Sequence, residues 1–152
     1  MGMVLNIAKQ AKEASYVLSN ASTAVKDKAL AMMAKALEEM KGEIINANQR
    51  DLENAREKGM KDAMLERLML NDKRIDGMIK GLLDLIELPD PVGRTLLSTE
   101  LDEGLELYKV TCPIGVIGVI FESRPDALVQ ISTLCLKSGN GVLLKGGSEA
   151  ME

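Results

Sequence analysis

The fold is decided by the stretch Pro113-Ile-Gly-Val-Ile-Gly-Val-Ile-Phe-Glu-Ser-Arg-Pro-Asp126. Its run from Gly115 to Phe121 is continuous, apolar and rich in β-branched residues, which is typical of a strand buried on both faces of a parallel sheet. The residues that follow predict a helix start, with Ser123 as the N-cap, Pro125 in the first turn and Asp126 at the third helical position. A strand that leads at once into a helix is therefore expected here.

The helix is expected to continue through Leu128, Ile131 and Cys135 until the turn Gly139-Asn140-Gly141, and residues 142–145 then form a second short apolar strand. A strand, a helix and a strand at this spacing make a βαβ unit, which requires a parallel sheet and a right-handed crossover. One such unit does not cover both faces of a sheet. The residues alone thus indicate an α/β protein that is truncated.

Upstream of this unit, about ninety residues carry the apolar periodicity of amphipathic helices. The stripes consist of Val4, Ile7, Ala8, Ala11 and Leu18, then Leu30, Met33, Ala34, Leu37, Met40 and Ile44, and then Ile75, Met78, Ile79, Leu82, Leu83 and Ile86.

The helix boundaries are predicted from capping residues. Ser22 or Thr23, Asp51 and Asn71 are candidate N-caps, and Gly59 is expected to end a helix with a positive φ. The prolines Pro89 and Pro91 close the helical region. From Leu101 the period changes, and the alternation over 105–110 predicts a half-exposed strand.

Composition excludes several classes of function. The 152 residues include no His, two Cys and only 2% aromatic residues, and they carry a formal charge of −4. A His-based triad is excluded, a transition-metal site is disfavoured, and so are nucleic-acid partners, which need cationic or aromatic surfaces. Neither a signal peptide nor a membrane span is visible, and with two cysteines this favours the cytoplasm.

The opening stretch, together with Leu134-Cys-Leu-Lys-Ser-Gly-Asn-Gly-Val-Leu-Leu-Lys-Gly-Gly147, resembles the gamma-glutamyl phosphate reductases of the aldehyde dehydrogenase superfamily. The resemblance extends to 47–51 and 63–68, and its most specific part is Phe121-Glu-Ser-Arg-Pro125. It implies an aldehyde dehydrogenase-like fold with helices over 1–100, an oligomerisation strand region over 101–112 and the start of a parallel NADP-binding sheet over 113–152.

The resemblance also implies a function. Members are more than twice as long and use NADPH to reduce gamma-glutamyl phosphate to glutamate 5-semialdehyde, the second step of proline biosynthesis. A cysteine thioester carries the acyl group, and the family's nucleophile lies downstream of Glu152. Cys112 and Cys135 are therefore expected to be structural, buried thiols that are inert. The chain alone is expected to be inactive and the complete enzyme to be a homo-oligomer.

The candidate cofactor residues follow the second strand, because ligands of open α/β sheets lie beyond the carboxyl ends of strands. Lys145 matches the lysine that holds the adenine-side ribose in this superfamily. Ser148 stands where NAD-preferring relatives often have a glutamate, so a 2′-phosphate would not be repelled and NADPH is favoured. Glu149 follows it, while Gly146 and Gly147 either permit close approach of the cofactor or only shape the turn.

The candidate substrate residue is Arg124. In common aldehyde dehydrogenases an asparagine of the oxyanion hole occupies this position, and a guanidinium there suits the acyl phosphate or its developing oxyanion. Phe121, Glu122 and Ser123 follow the strand where relatives place backbone against the nicotinamide half of the cofactor, and the Ser123 side chain is expected to act mainly as the N-cap.

Two alternatives remain open from the sequence. The chain could derive from another NAD(P)-dependent aldehyde dehydrogenase, against which the segment 121–125 argues. It could also be a non-catalytic helical interaction module, if the natural chain ends at Glu152.

Overall fold

The computed structural model describes residues 2–150 and contains six helices and four strands within that range. In chain order they are α1 (Gly2–Ser19), α2 (Thr23–Glu39), α3 (Lys41–Glu57), α4 (Asp62–Leu68), α5 (Asp72–Glu87), β1 (Thr95–Asp102), β2 (Leu105–Val110), β3 (Val116–Ile120), α6 (Pro125–Lys137) and β4 (Gly141–Lys145). The α/β class predicted from the sequence is confirmed.

The main hydrophobic core lies among α2, α5 and α6. Leu30 and Ala34 of α2 and Leu82 and Leu85 of α5 are buried together, and Val129 of α6 packs against them. The apolar stripes of α2 and α5 therefore face each other, as their periodicity predicts.

Two of the predicted N-caps are confirmed. The side chain of Ser22 accepts a hydrogen bond from the Val25 amide, and Asn71 accepts one from the Arg74 amide at 2.9 Å. Asp51 as a cap is wrong, because α3 runs without interruption through that position, and the helices separate at Met40 instead. Gly59 ends α3 with a φ of 74°, as expected.

Two lysines are buried in this helical layer. Lys26 is 2% exposed and forms an ion pair with Asp90, which also accepts a hydrogen bond from the Thr23 hydroxyl at 2.8 Å. Lys137 is 3% exposed and donates to Asp27 at 2.6 Å and to the carbonyl of Ile86 at 3.0 Å. These pairs fasten α2 to the segment after α5 and to the end of α6.

The βαβ unit is formed as predicted: β3 and β4 are parallel and α6 connects them. The prediction that the first strand is buried on both faces is wrong for residues 2–150, since Ile120 is 81% exposed and Gly118 is also exposed. Within that part of the chain, β4 is the one strand that pairs with β3. The other edge of β3 and part of the β3 surface are therefore uncovered.

Helix α1 lies against the parallel pair. A Cβ on Gly141 would come within 2.9 Å of the carbonyl of Ala11 and 3.3 Å of the Ser15 side chain, so the helix and strand approach closely there. Val4 and Ile7, which the sequence placed on the packed stripe, are exposed. The contact face of α1 is built from small residues rather than from its large apolar ones.

Strands β1 and β2 form an antiparallel hairpin that is separate from the parallel pair. Its first strand begins at Thr95, upstream of the change of period at Leu101. All residues of both strands are exposed, including Leu97, Leu107 and Tyr108.

Candidate functional site

The carboxyl ends of β3 and β4 lie side by side. Ile120 pairs with Lys145 in the register, and the Phe121 amide donates a 3.1 Å hydrogen bond to the Lys145 carbonyl. The segments that leave the two strands, 121–124 and 146–150, therefore start as neighbours. This edge is where an open α/β sheet binds ligands.

The turn between β3 and α6 differs from the sequence prediction. The N-cap of α6 is Arg124 and Pro125 is the first helical residue, so Ser123 as the N-cap and Asp126 at the third position are both wrong. The Ser123 hydroxyl does not bond to the helix, because Ser123 contacts Glu149, twenty-six residues downstream. Ser123 also has a φ of 50°, a left-handed conformation that is uncommon for a residue other than glycine.

Glu149 joins the two segments. Its Oε1 accepts hydrogen bonds from the Ser123 amide and from the Ser123 hydroxyl, the latter at 3.3 Å. Partial burial alone would raise the pKa of Glu149, but the Ser123 amide and hydroxyl, its own amide and the charge of Lys145 lower that pKa below its usual value. The carboxylate is therefore ionised at neutral pH.

A cavity of about 440 Å³ opens between these segments and α3. The turn after β3 contributes Phe121, Ser123, Arg124 and Pro125, and the segment after β4 contributes Gly146, Gly147 and Glu149. We call this space the crevice cavity. Among residues 2–150 the guanidinium of Arg124 has no hydrogen bond or ion pair, so it is available to an anionic ligand.

The remaining predicted residues lie around this cavity. Ser148 lines a neighbouring cavity of about 200 Å³, together with Asn54 of α3 and Lys58, the C-cap of α3, and Glu149 borders both spaces. Lys145 and Glu122 line neither of the two cavities and are exposed, although the Lys145 charge acts on Glu149. The structure thus brings Arg124, Gly146, Gly147 and Glu149 together and leaves Lys145 beside them.

Sequence reasoning missed the wall that α3 supplies. Ile44, Ala47, Asn48 and Asp51 line the crevice cavity, and Asn48 is 4% exposed. Its side chain donates to the Leu68 carbonyl at 2.8 Å and accepts from the Leu70 amide at 2.6 Å, which fixes the chain after α4 against α3. In the sequence, the only indication of this part of the cavity was that residues 47–51 resemble the family.

The two cysteines differ from each other. Cys135 is buried, and burial raises the pKa of its thiol, as predicted. Cys112 is exposed, so the expectation of a buried thiol is wrong at that position. The residue lies in the segment between the exposed hairpin and β3.

The helices formed by residues 2–150 include none with both the length and the apolar character that a bilayer crossing needs.

The relatives found by comparison with known proteins share one name. The chain is 64% identical over 146 residues to a gamma-glutamyl phosphate reductase of Pelotomaculum thermopropionicum, covering 96% of this chain and 34% of the relative. It is 62% identical over 149 residues to the protein of that name from Acetivibrio thermocellus, covering 98% of this chain and 35% of the relative. No family model matches the chain.

Solved structures agree with these relatives. The chain superposes on the crystal structure of gamma-glutamyl phosphate reductase from Thermotoga maritima with a TM-score of 0.92 at 49% identity, covering 96% of this chain and 35% of that one. The corresponding Saccharomyces cerevisiae structure gives 0.91 at 43% identity. The chain spans about a third of the length of the curated relatives that it matches, and it is homologous to that third over nearly all of its own residues.

Proposed function

We propose, from this homology to gamma-glutamyl phosphate reductases, that the chain is the amino-terminal part of an enzyme that reduces L-glutamyl 5-phosphate to L-glutamate 5-semialdehyde and phosphate with NADPH. The observation that carries the proposal is the high identity over nearly the whole chain. The crevice cavity supports it, because the segment most specific to the family, 121–125, lines that cavity with all its residues but Glu122, beside Gly146 and Gly147.

The chemistry divides into two steps. A cysteine thiolate outside these residues attacks the acyl carbon, the bond from that carbon to the phosphate oxygen breaks, and phosphate leaves. When bound, the cofactor supplies the hydride that converts the resulting thioester to the aldehyde, with release of the thiolate. Neither Cys112 nor Cys135 is proposed as the nucleophile, and Cys135 is excluded from that role by its burial and raised pKa.

Arg124 is proposed to bind the acyl phosphate or the oxyanion that develops from it. Arg124 lines the crevice cavity, and no side chain among residues 2–150 neutralises its guanidinium. Arginine can donate two parallel hydrogen bonds to a phosphate, which lysine cannot. Arg124→Lys in the complete enzyme keeps the charge and should lower turnover of gamma-glutamyl phosphate; unchanged turnover would contradict the role.

The cofactor is proposed to lie along the segment after β4. The residues present fit NADPH: Lys145 offers a cation, Ser148 a hydroxyl, and Lys58 is a second cationic residue that lines the cavity of Ser148. Of the two acidic groups that border it, the Glu149 carboxylate is already engaged by Ser123. Ser148→Glu would add a further carboxylate to this cavity and repel a 2′-phosphate, so the ratio of kcat/KM for NADPH to that for NADH should fall. No fall would show that this position does not set cofactor choice.

The exposed hairpin supports a homo-oligomer. Its leucines at 97, 101, 105 and 107 are all more than half exposed, and a two-stranded hairpin is at best marginally stable alone. We propose that the hairpin pairs with another subunit. We also propose that the complete enzyme acts in the cytoplasm and takes part in proline biosynthesis. Sedimentation of the complete enzyme before and after Leu107→Asp tests the pairing: the charged side chain should shift the enzyme toward monomers.

A requirement for phosphate separates this proposal from a simple aldehyde oxidiser. In the reverse direction the complete enzyme should oxidise glutamate 5-semialdehyde with NADP only when phosphate is present, since phosphate is the acyl acceptor. Oxidation that proceeds equally well without phosphate would favour another member of the aldehyde dehydrogenase superfamily.

A further inference from the structure

We propose that Glu149 is a positioning residue, whose carboxylate holds the turn between β3 and α6 in the conformation that presents Arg124 to the crevice cavity. Its effect on turnover rests on the proposed function. Its effect on the turn does not, because the contacts that carry it lie entirely within the chain.

The first observation is the backbone of Ser123. Among residues 2–150 it is the one residue other than glycine with a positive φ, at 50°. A serine in this conformation is strained, and such strain persists only where the surroundings enforce it. Arg124, the next residue, caps α6 without a side-chain hydrogen bond, so the helix end itself does little to fix the turn.

The second observation is what enforces the strain. Ser123 is 3% exposed, and both its amide and its hydroxyl donate to Glu149 Oε1. A charged acceptor makes these hydrogen bonds stronger than neutral ones, and a carboxylate near the start of α6 is also favoured by the helix dipole. Glu149 thus ties the segment after β4 to the strained residue.

The third observation is Gly147. The position that a Cβ would take on this residue is filled by the carboxylate of Glu149. The φ of Gly147 lies outside the left-handed region, so its backbone does not demand glycine. A side chain at Gly147 would therefore have to displace the Glu149 carboxylate from its present position.

The test is a double-mutant cycle in the complete enzyme. Glycine adopts a positive φ without strain, so Ser123→Gly should remove the need for Glu149. We expect Glu149→Ala to lower kcat for phosphate-dependent oxidation of glutamate 5-semialdehyde about tenfold, equivalent to about 1.4 kcal/mol. The KM for NADP should stay within about twofold, as for a group that acts on the reacting geometry and not on ground-state binding. In the Ser123→Gly background, Glu149→Ala should lower kcat by no more than about threefold.

Three further variants complete the design. Gly147→Ala should reproduce the loss seen with Glu149→Ala, because the new methyl group displaces the carboxylate. Glu149→Gln keeps one acceptor oxygen and should lose less activity than Glu149→Ala. Glu57→Ala removes an exposed carboxylate of α3 that lines neither of the two cavities, and it should leave kcat unchanged.

The outcomes separate this inference from the proposed function. Equal losses from Glu149→Ala in the two backgrounds would overturn the inference, and so would a raised KM for NADP at unchanged kcat, which would make Glu149 a cofactor contact. If the wild-type enzyme shows no such oxidation, the proposed function fails. Thermal unfolding midpoints of the same variants then test the role of Glu149. Glu149→Ala should lower the midpoint by less in the Ser123→Gly background than in the wild-type background.

Discussion

Residues 2–150 form two sheets of two strands each, and the two sheets differ in almost every respect except size. The parallel pair β3–β4 lies against α1 and is joined by α6, which packs into the helical core. The antiparallel hairpin β1–β2 is exposed along both strands. The parallel pair is a part of the packed body, whereas the hairpin has apolar side chains and no cover within residues 2–150.

The difference lies in what surrounds each sheet and not in how apolar it is. Leu97 and Leu107 of the hairpin are as hydrophobic as Leu143 and Leu144 of β4, yet the former are exposed and the latter half-buried. An apolar side chain stabilises a fold only to the extent that it is buried. The same substitution should therefore lower the free energy of unfolding more in the packed region than in the hairpin. The following predictions test that inequality by urea denaturation of the chain.

The largest difference is expected for two aspartates. Asp90 pairs with the buried Lys26 and also accepts from Thr23 and Val92, whereas Asp102 lies on the exposed hairpin. Asp90→Ala leaves a buried ammonium without its partner and should cost about 4 kcal/mol, as other broken buried pairs do. Asp102→Ala should change the free energy of unfolding by at most about 0.5 kcal/mol. Equal losses would show that Lys26 is not desolvated.

For two leucines, the difference in the cost of alanine substitution should be slightly smaller than for the two aspartates. Leu30 is 0% exposed in the core cluster, and Leu30→Ala should destabilise the chain by about 3 kcal/mol through lost burial and a cavity. Leu107 is 52% exposed, and Leu107→Ala should cost less than about 0.5 kcal/mol in the monomer. If Leu107→Ala costs as much as Leu30→Ala, the hairpin is covered in solution, and dilution should then reduce its effect.

Two glycines with positive φ separate backbone strain from packing. Gly104 turns the hairpin at φ 75° with open space around it, whereas a Cβ on Gly139 at φ 70° would meet Pro113 at 2.9 Å and Val92 at 3.3 Å. Alanine at Gly104 should cost about 1 kcal/mol from the left-handed conformation alone. Gly139→Ala should cost about 1 kcal/mol more, because the methyl group must also displace its neighbours. Equal costs would mean that the region around Gly139 relaxes freely.

The packed region was also the more predictable one. The caps Ser22 and Asn71, the apolar stripe of α5 apart from the exposed Leu83, and the order strand, helix, strand over 116–145 follow from local patterns and are confirmed. Strand β1 was missed because its apolar and polar residues do not alternate regularly. The break at Met40 was missed because the apolar stripe of α2 continues across it.

What the sequence could not predict depends on partners that are distant in the chain. Ser123 has every local feature of an N-cap, but its hydroxyl donates to Glu149 and the N-cap is Arg124. The burial of Lys26 and Lys137 was not predicted, and it depends on their ion pairs with Asp90 and Asp27. In each case a long-range polar contact overrides a local propensity.

The smallest expected effect is the pH dependence of the packed region. Burial alone would raise the pKa of Asp90, but hydrogen bonds from Lys26, the Val92 amide and Thr23 lower that pKa below its ordinary value of 3.8. A group whose pKa is lowered by folding stabilises the native state fully above its unfolded pKa, and it loses this contribution as pH falls toward the folded value. The difference in free energy of unfolding between the wild-type chain and Asp90→Asn should therefore be constant near neutral pH and narrow below about pH 4. If the difference for Asp90→Asn stays constant down to pH 2, the Asp90 carboxylate gains nothing from Lys26 in the folded chain.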